Sequence, residues 1–122
     1  MPTVLVADDD ADVRRVLRKV LAASGFATVE ADSGAGALAL VAAGGIDAIV
    51  SDVRMPGVDG LAFYDRLARE HPALSRRLVF LTGAARDPAV HDPIEARGVP
   101  LVSKLTDLSI VVDAVRVALI SA

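Results

Sequence analysis

The chain has 122 residues and a mass of 12.6 kDa, a size that predicts one domain spanning residues 1–122. It has no cysteine, which excludes disulfides and thiolate metal sites. Only 3% of its residues are aromatic and its formal charge is -3, so it has neither the stacking surface nor the basic patch of a nucleic-acid binder. No apolar run approaches the roughly 18 residues of a membrane span, and the start lacks the basic and apolar segments of a signal peptide, so we expect a cytoplasmic protein with no membrane partner.

The first predicted elements are a strand at Thr3–Ala7 and an amphipathic helix after it. Asp10 stands where a side chain would cap the start of this helix, and Gly25 stands where its C-terminus would be capped. Apolar residues recur at helical spacing and predict the buried stripe of the helix, which consists of Val13, Val16, Leu17, Val20 and Leu21.

Four more strands and four more helices are predicted downstream. The strands are short apolar runs, expected to be buried on both faces, at Phe26–Glu30, Ile46–Ser51, Leu78–Thr82 and Pro100–Ser103. The helices are expected from a cap at Ser33 to the pair Gly44 and Gly45, over Leu61–Glu70, between Asp87 and Ala96, and from a cap at Thr106 along the stripe Val111, Ala114, Val115, Ala118 and Leu119. Pro93 is expected to disturb the fourth helix, because proline has no backbone N–H. Strands that alternate with helices predict an α/β fold whose parallel sheet is covered on both faces.

Polar side chains collect where the predicted strands end. They are Asp8, Asp9 and Asp10 after the first strand, Asp52 after the third, Thr82 at the end of the fourth and Lys104 after the fifth. Because ligands of parallel sheets bind beyond the carboxyl ends of the strands, we expect these groups to share one edge, although Asp10 alone is better explained as a helix cap. Carboxylate oxygens with no histidine or cysteine nearby suit Mg²⁺. A nucleophilic carboxylate, a metal, a hydroxyl and an ammonium group together predict a site that accepts a phosphoryl group.

Four segments of the chain resemble the receiver domains of response regulators in two-component signalling. They are VLVADDD, DAIVSDVRMPGVDG, LVFLTG and VPLVSKL, and they span essentially the whole chain. The resemblance implies the flavodoxin-like receiver fold, a doubly wound five-stranded parallel sheet in the order 2-1-3-4-5. It also implies a switch that accepts a phosphoryl group from a sensor histidine kinase or a histidine phosphotransfer protein, with no enzymatic activity except toward itself.

The resemblance further implies a role for each residue at the strand ends. Asp52 would be the phosphoacceptor, Thr82 would hydrogen-bond the phosphoryl group and Lys104 would form a salt bridge to it. The Mg²⁺ ion would be held by Asp9 directly, by Asp8 through water, by Asp52 and by the backbone carbonyl of Arg54. In the turn after Asp52, Gly57 would adopt a positive φ and Gly60 would let the chain enter the third helix.

Two positions depart from the receiver pattern. Leu105 follows Lys104 where receivers usually have a proline in a cis peptide; a cis bond before a non-proline residue costs about 3 to 4 kcal/mol, so we expect a trans peptide. Leu101 replaces the aromatic residue that often stands three positions before the lysine. Because leucine has no ring, we expect no aromatic side chain to change position when this chain switches. Both departures favour an alternative, a phosphorylation-independent pseudo-receiver that acts as a protein-interaction module. A phosphatase-like enzyme is a third hypothesis, but the pattern Asp-x-Asp-x-Thr of the haloacid dehalogenases is missing from Asp52 onward.

Helix surfaces suggest further contacts. Four apolar residues of the last predicted helix lie outside its buried stripe and favour a contact face for a homodimer or a partner domain: Ile110, Val112, Val117 and Ile120. Four basic residues of the first helix are interpreted as a solvated face: Arg14, Arg15, Arg18 and Lys19. His71 and His91 are interpreted as ordinary surface residues.

Overall fold

Five parallel strands form one sheet in the computed structural model, which describes residues 1–105 and 107–121. The strands are β1 (Thr3–Ala7), β2 (Ala27–Ala31), β3 (Ala48–Asp52), β4 (Leu78–Thr82) and β5 (Leu101–Ser103). Their order in the sheet is β2-β1-β3-β4-β5, which confirms the predicted doubly wound α/β fold. The register places Ala7 beside Ser51 and Thr82 beside Ser103, so the carboxyl ends of neighbouring strands reach the same edge of the sheet.

Helices connect the strands and cover both faces of the sheet. In the part of the chain that the structure describes they are α1 (Ala11–Ala23), α2 (Gly34–Ala43), α3 (Gly60–Glu70), α4 (Pro72–Ser75), α5 (Pro88–Ala96) and α6 (Ser109–Ser121). Five of them confirm predicted helices. The single turn α4 is not among the predictions, since His71 and Pro72 indicate a helix end. Pro72 instead begins a new turn, at the first helical position, where its missing N–H is tolerated.

Side chains cap the helices where the sequence predicts. The carboxylate of Asp10 accepts hydrogen bonds from two amides of the first turn of α1, and the hydroxyl of Ser33 accepts one at the start of α2. The predicted cap of α6, Thr106, lies outside the described residues. The carboxylate of Asp107 accepts a hydrogen bond from the Ser109 amide at the start of α6.

Each face of the sheet buries its own apolar cluster, because successive side chains of a strand point to opposite faces. On one face, α1 and α6 pack on β1, β3 and β4 through residues that include Leu17, Leu21, Val111 and Val115. On the other face, α2, α3 and α5 pack on the same strands through residues that include Val41, Phe63, Leu67 and Ile94. Here the Tyr64 ring on α3 lies 6.3 Å from the Phe80 ring on β4. Among the described residues, no helix combines the length and the apolarity that crossing a membrane requires.

Three predictions about burial are wrong. The edge strands β2 and β5 are mostly half-buried and not buried on both faces, because each has a neighbouring strand on one side alone. Val16 is 41% exposed, because it lies about 100° around α1 from Leu17, which faces the sheet. Val112 belongs to the core and not to the surface of α6, since α6 packs against β3, β4 and α1 and its buried face is correspondingly wide.

Two proline-related predictions have different outcomes. Pro93 lies inside α5 without ending it: the missing N–H removes one backbone hydrogen bond, but the helix continues to Ala96. The Arg97 guanidinium donates a separate hydrogen bond of 2.8 Å to the carbonyl of Pro93. The peptide between Lys104 and Leu105 is trans, as the sequence predicts, because no peptide bond among the described residues is cis.

Candidate functional site

Three carboxylates lie together at the carboxyl end of the sheet. Asp8 and Asp9 follow β1 directly, and Asp52 is the last residue of β3. Because Ala7 and Ser51 are partners in the parallel register, the residues that follow them come close together. One oxygen from each of the three carboxylates lies within 4.8 Å of the other two, with Asp8 and Asp52 buried and Asp9 exposed. The cluster is therefore anionic and open to solvent on the Asp9 side.

The ammonium group of Lys104 lies between the two buried carboxylates. Its Nζ is 2.9 Å from Asp8 Oδ2 and 3.1 Å from Asp52 Oδ2. The Lys104 amide donates to the Thr82 carbonyl at 2.9 Å, which joins the ends of β5 and β4. Burial lowers the pKa of Lys104, but the contact with Asp8 and the charge of Asp52 outweigh it and leave the pKa above its ordinary value. Lys104 is therefore charged at neutral pH and compensates part of the acidic cluster.

Asp8 has a raised pKa and an incompletely satisfied side chain. Burial raises the pKa of Asp8, and the charge of Asp52 adds to this, against the opposing effects of the Asp10 amide and of Lys104. Asp8 Oδ1 accepts a hydrogen bond of 2.9 Å from the Asp10 amide. Asp8 Oδ2 is buried and close to Lys104 Nζ, but no described donor reaches it with hydrogen-bond geometry, so that contact is mainly between charges. A buried oxygen of this kind beside two more carboxylates fits a hard divalent cation such as Mg²⁺.

Two further predicted residues flank the Asp52 carboxylate along the edge of the sheet. The Arg54 amide donates to Asp52 Oδ1 at 3.4 Å, which holds the Arg54 backbone next to the carboxylate while its side chain is exposed. Thr82 is buried at the end of β4, and its hydroxyl accepts a hydrogen bond of 3.2 Å from the Ala84 amide. Turning the hydroxyl away from Ala84 would cost one neutral hydrogen bond, worth about 0.5 to 1.5 kcal/mol.

Two glycines shape the turn that leads from Asp52 into α3. Gly57 has a φ of 72°, which confirms the predicted positive value. Gly60 is needed for a different reason: its amide donates to the Val53 carbonyl at 2.8 Å, and a Cβ on Gly60 would lie 2.3 Å from the Asp52 carbonyl oxygen. Helix α3 can therefore begin directly against the end of β3.

Sequence reasoning missed the contribution of Arg14 to this site. Its guanidinium donates a hydrogen bond of 2.7 Å to the Asp8 backbone carbonyl and another of 3.2 Å to Glu30 on β2. The interpretation of Arg14 as part of a solvated basic face is therefore wrong, whereas Arg15, Arg18 and Lys19 are exposed. The sequence offers little to reveal this, since a basic residue in the first turns of a helix usually faces water. Arg14 thereby ties the loop after β1 to α1 and β2.

Comparisons with known proteins agree with this geometry. Residues 4–116 match the family model of the response regulator receiver domain. The chain is 41% identical over 71 residues to the DNA-binding transcriptional regulator NtrC of Escherichia coli K12, a stretch of 58% of this chain but 15% of NtrC. It is 30% identical to the response regulator receiver protein CpdR of Brucella abortus over 100% of both chains. A solved putative response regulator from Chloroflexus aurantiacus superposes with a TM-score of 0.87 at 29% identity, covering 98% of this chain and 99% of that one.

Proposed function

The chain belongs to the response regulator receiver family, and we propose that residues 1–122 form one receiver domain in which phosphorylation of Asp52 changes partner binding. The observation that carries the proposal is the position of Asp52: its carboxylate ends a buried strand, 3.1 Å from Lys104 and beside Asp8 and Asp9. The phosphoryl donor would be a sensor histidine kinase or a histidine phosphotransfer protein. The proposal places the chain in the cytoplasm and gives it no direct contact with nucleic acid or membrane.

The Asp52 carboxylate acts as the nucleophile in the proposed reaction. A P–O bond forms on Asp52 while the P–N bond to the donor histidine breaks, and the released imidazole takes up a proton from solvent. Lys104 holds Asp52 in place beforehand and then pairs with a phosphoryl oxygen. The Thr82 hydroxyl exchanges the Ala84 amide for another phosphoryl oxygen, which biases the loop after β4 toward a second arrangement. The chain acts as a catalyst only on itself.

Four groups would hold Mg²⁺ at this site: the carboxylates of Asp8, Asp9 and Asp52 and the backbone carbonyl of Arg54. When bound, the ion supplies positive charge against the phosphoryl oxygens. Asp8 contributes the buried oxygen that lacks a donor, and Arg14 keeps the Asp8 backbone in place through its carbonyl. Before the ion binds, the positive charge of Lys104 reduces the repulsion between the Asp8 and Asp52 carboxylates.

A second candidate function is that of a pseudo-receiver, a protein-interaction module that works without phosphorylation. Two observations favour it. Leu101 has no aromatic ring to change position, and it lines a groove of 730 Å³ beside the loop after β4. Leu105 is 86% exposed next to the site lysine, which suits a surface that contacts another protein.

Intact-mass measurement separates the two candidates. The protein is incubated with a small phosphodonor such as acetyl phosphate, with and without Mg²⁺. We expect one added phosphoryl group that needs Mg²⁺, that Asp52→Ala abolishes, and that the control Asp32→Ala at an exposed acid retains. A wild-type protein that gains no phosphoryl group would contradict the switch and support the pseudo-receiver.

A further inference from the structure

Three metal-ligating side chains lie together on α5, separate from the acidic cluster at the strand ends. His91 Nδ1 is 3.1 Å from Asp92 Oδ1 and 3.5 Å from Glu95 Oε2, and the three ligand atoms lie within 4.8 Å of one another. All three side chains are exposed, with His91 46% exposed. The trio therefore presents one imidazole nitrogen and two carboxylate oxygens to solvent at a single point.

The spacing of these atoms matches a tetrahedral metal centre. Zn²⁺ binds nitrogen and carboxylate ligands at about 2.0 to 2.2 Å, which puts neighbouring ligand atoms about 3.3 to 3.6 Å apart. Of the two separations measured from His91 Nδ1, the 3.5 Å distance to Glu95 lies in that range and the 3.1 Å distance to Asp92 is slightly shorter, while the third pair of ligand atoms lies within 4.8 Å. Imidazole nitrogen favours borderline metals such as Zn²⁺, whereas the all-oxygen cluster of Asp8, Asp9 and Asp52 favours Mg²⁺. Of the two clusters, the one with the imidazole nitrogen is therefore the better match to Zn²⁺.

The charge around His91 also favours a cation. Within the described residues, neither Asp92 nor Glu95 has a lysine or arginine partner. Arg97, the next cation along the chain, is already held by both oxygens of Asp65, at 2.8 and 2.9 Å. Neither carboxylate therefore has its charge compensated by a paired lysine or arginine, and a divalent ion would supply that compensation.

The backbone between the ligands is restrained. Pro93 lies between Asp92 and Glu95 in the helix and fixes its own φ near -65°. A ligand set on a restrained turn loses less conformational entropy when it closes on a metal. His91 and Glu95 also line the groove that contains Leu101, so a bound ion would lie at the rim of that groove.

We propose that His91, Asp92 and Glu95 form a surface site for Zn²⁺ or a similar divalent transition-metal ion, with water as the fourth ligand. The site revises the interpretation of His91 as an ordinary surface residue. It does not depend on phosphorylation of Asp52, so it stands or falls independently of the proposed receiver function.

A calorimetric titration of the full chain with Zn²⁺ tests the site, in an excess of Mg²⁺ that competes for the acidic cluster. The chain suits this experiment because it has no cysteine and two histidines. We expect one Zn²⁺ per chain. His91→Gln should weaken its binding at least tenfold, Glu95→Gln severalfold, and the matched control His71→Gln not at all.

Two results would overturn the proposal. One is wild-type protein that binds no Zn²⁺, which would mean that the three side chains only contact one another. The other is binding that His91→Gln leaves unchanged or that His71→Gln weakens equally. Circular dichroism of each variant checks that it is folded, which we expect because all three ligand side chains are exposed.

Discussion

At Asp8, burial and the charge of Asp52 outweigh the contacts with Lys104 and with the Asp10 amide, so the pKa of Asp8 in the folded protein lies above its ordinary value of 3.8. The folded state then holds this proton more tightly than the unfolded state does. The contribution of Asp8 to the free energy of unfolding is therefore most favourable below pH 3.8 and falls as the pH rises through the raised folded value. At neutral pH the charged carboxylate therefore opposes folding.

Replacing Asp8 by asparagine should therefore stabilise the fold. We expect Asp8→Asn to raise the free energy of unfolding at pH 7 without divalent ions by about 1 to 3 kcal/mol, because the cost of desolvating the charged carboxylate exceeds what its contacts with Lys104 and the Asp10 amide return. Urea denaturation at pH 7 and near pH 4 measures the effect, which should shrink at the lower pH. Added Mg²⁺ should narrow the difference at pH 7, and Asp32→Asn should change nothing. A less stable Asp8→Asn at pH 7 would contradict the argument.

Gly60 offers a test of close packing at the site. A Cβ at this position would lie 2.3 Å from the Asp52 carbonyl oxygen and 2.8 Å from the Val53 Cα, both of which belong to the backbone and cannot turn away. We expect Gly60→Ala to lower the free energy of unfolding by about 1 to 3 kcal/mol. Gly83→Ala is the matched control, because no atom lies within 4 Å of its Cβ position and its φ is not positive. Equal urea midpoints for the two variants would refute this account.

Among the elements, α3 and α5 are joined by a bidentate ion pair. Arg97, at the end of α5, donates from Nε and Nη2 to the two oxygens of Asp65 on α3, at 2.8 and 2.9 Å. The hydrogen bonds from Arg97 lower the pKa of Asp65 below its ordinary value. The stability that this pair contributes is therefore present above pH 3.8 and is lost as the pH falls through the lowered folded value. This pH dependence is opposite in sign to that of Asp8.

Breaking this pair should destabilise the protein slightly. Because the Asp65 side chain is 51% exposed, water screens the interaction, and we expect Asp65→Asn to cost about 0.5 to 1 kcal/mol at pH 7. Thermal unfolding at pH 7 and pH 3 measures the effect, and the cost should diminish at pH 3. Glu70→Gln, which removes the pair with Arg66 inside α3, controls for the loss of an ion pair that joins no two helices. If Asp65→Asn and Glu70→Gln lower the stability equally, joining α3 to α5 contributes nothing to the free energy of unfolding beyond the ion pair itself.

Elements with local signals were predictable from the sequence, and those set by packing were not. The caps at Asp10 and Ser33 depend on one side chain and the amides next to it, so a sequence pattern suffices. The burial of Val112 depends on how α6 fits between the sheet and α1, which no local pattern contains. At the site, the strand ends predict which carboxylates meet, but the hydrogen bond from Arg14 to the Asp8 carbonyl depends on a rotamer chosen in the folded protein.

For the molecule as a whole, α6 carries the surface that is most suited to another protein. Ile110, Val117 and Ile120 are 45%, 61% and 84% exposed, and they lie at spacings of seven and three residues, which places them along one side of the helix. Val112, the fourth predicted member of this face, is buried, so the contact surface is narrower than the sequence suggests. A contact of α6 with a second copy of the chain or with a partner domain remains our prediction, and the homodimer is the form that the chain alone can test.

Sedimentation velocity over a range of concentrations tests the homodimer. We expect the wild-type protein to associate as its concentration rises and Val117→Glu to remain monomeric, because a charge in an apolar contact is costly to desolvate. Val16→Glu is the control, since Val16 is an exposed apolar residue on α1, outside this surface. Wild-type protein that stays monomeric at every concentration, or a control that also abolishes association, would contradict the prediction.

The pairing of Tyr64 with Phe80 has a practical consequence. The chain has no tryptophan and one tyrosine, so fluorescence excited in the tyrosine absorption band comes from a single ring, packed against the cluster formed by α2, α3 and α5. Ultraviolet emission therefore reports on one side of the sheet, while far-ultraviolet dichroism reports on all helices together. Coincident melting curves from the two signals would show that both layers of helices separate from the sheet in one cooperative event.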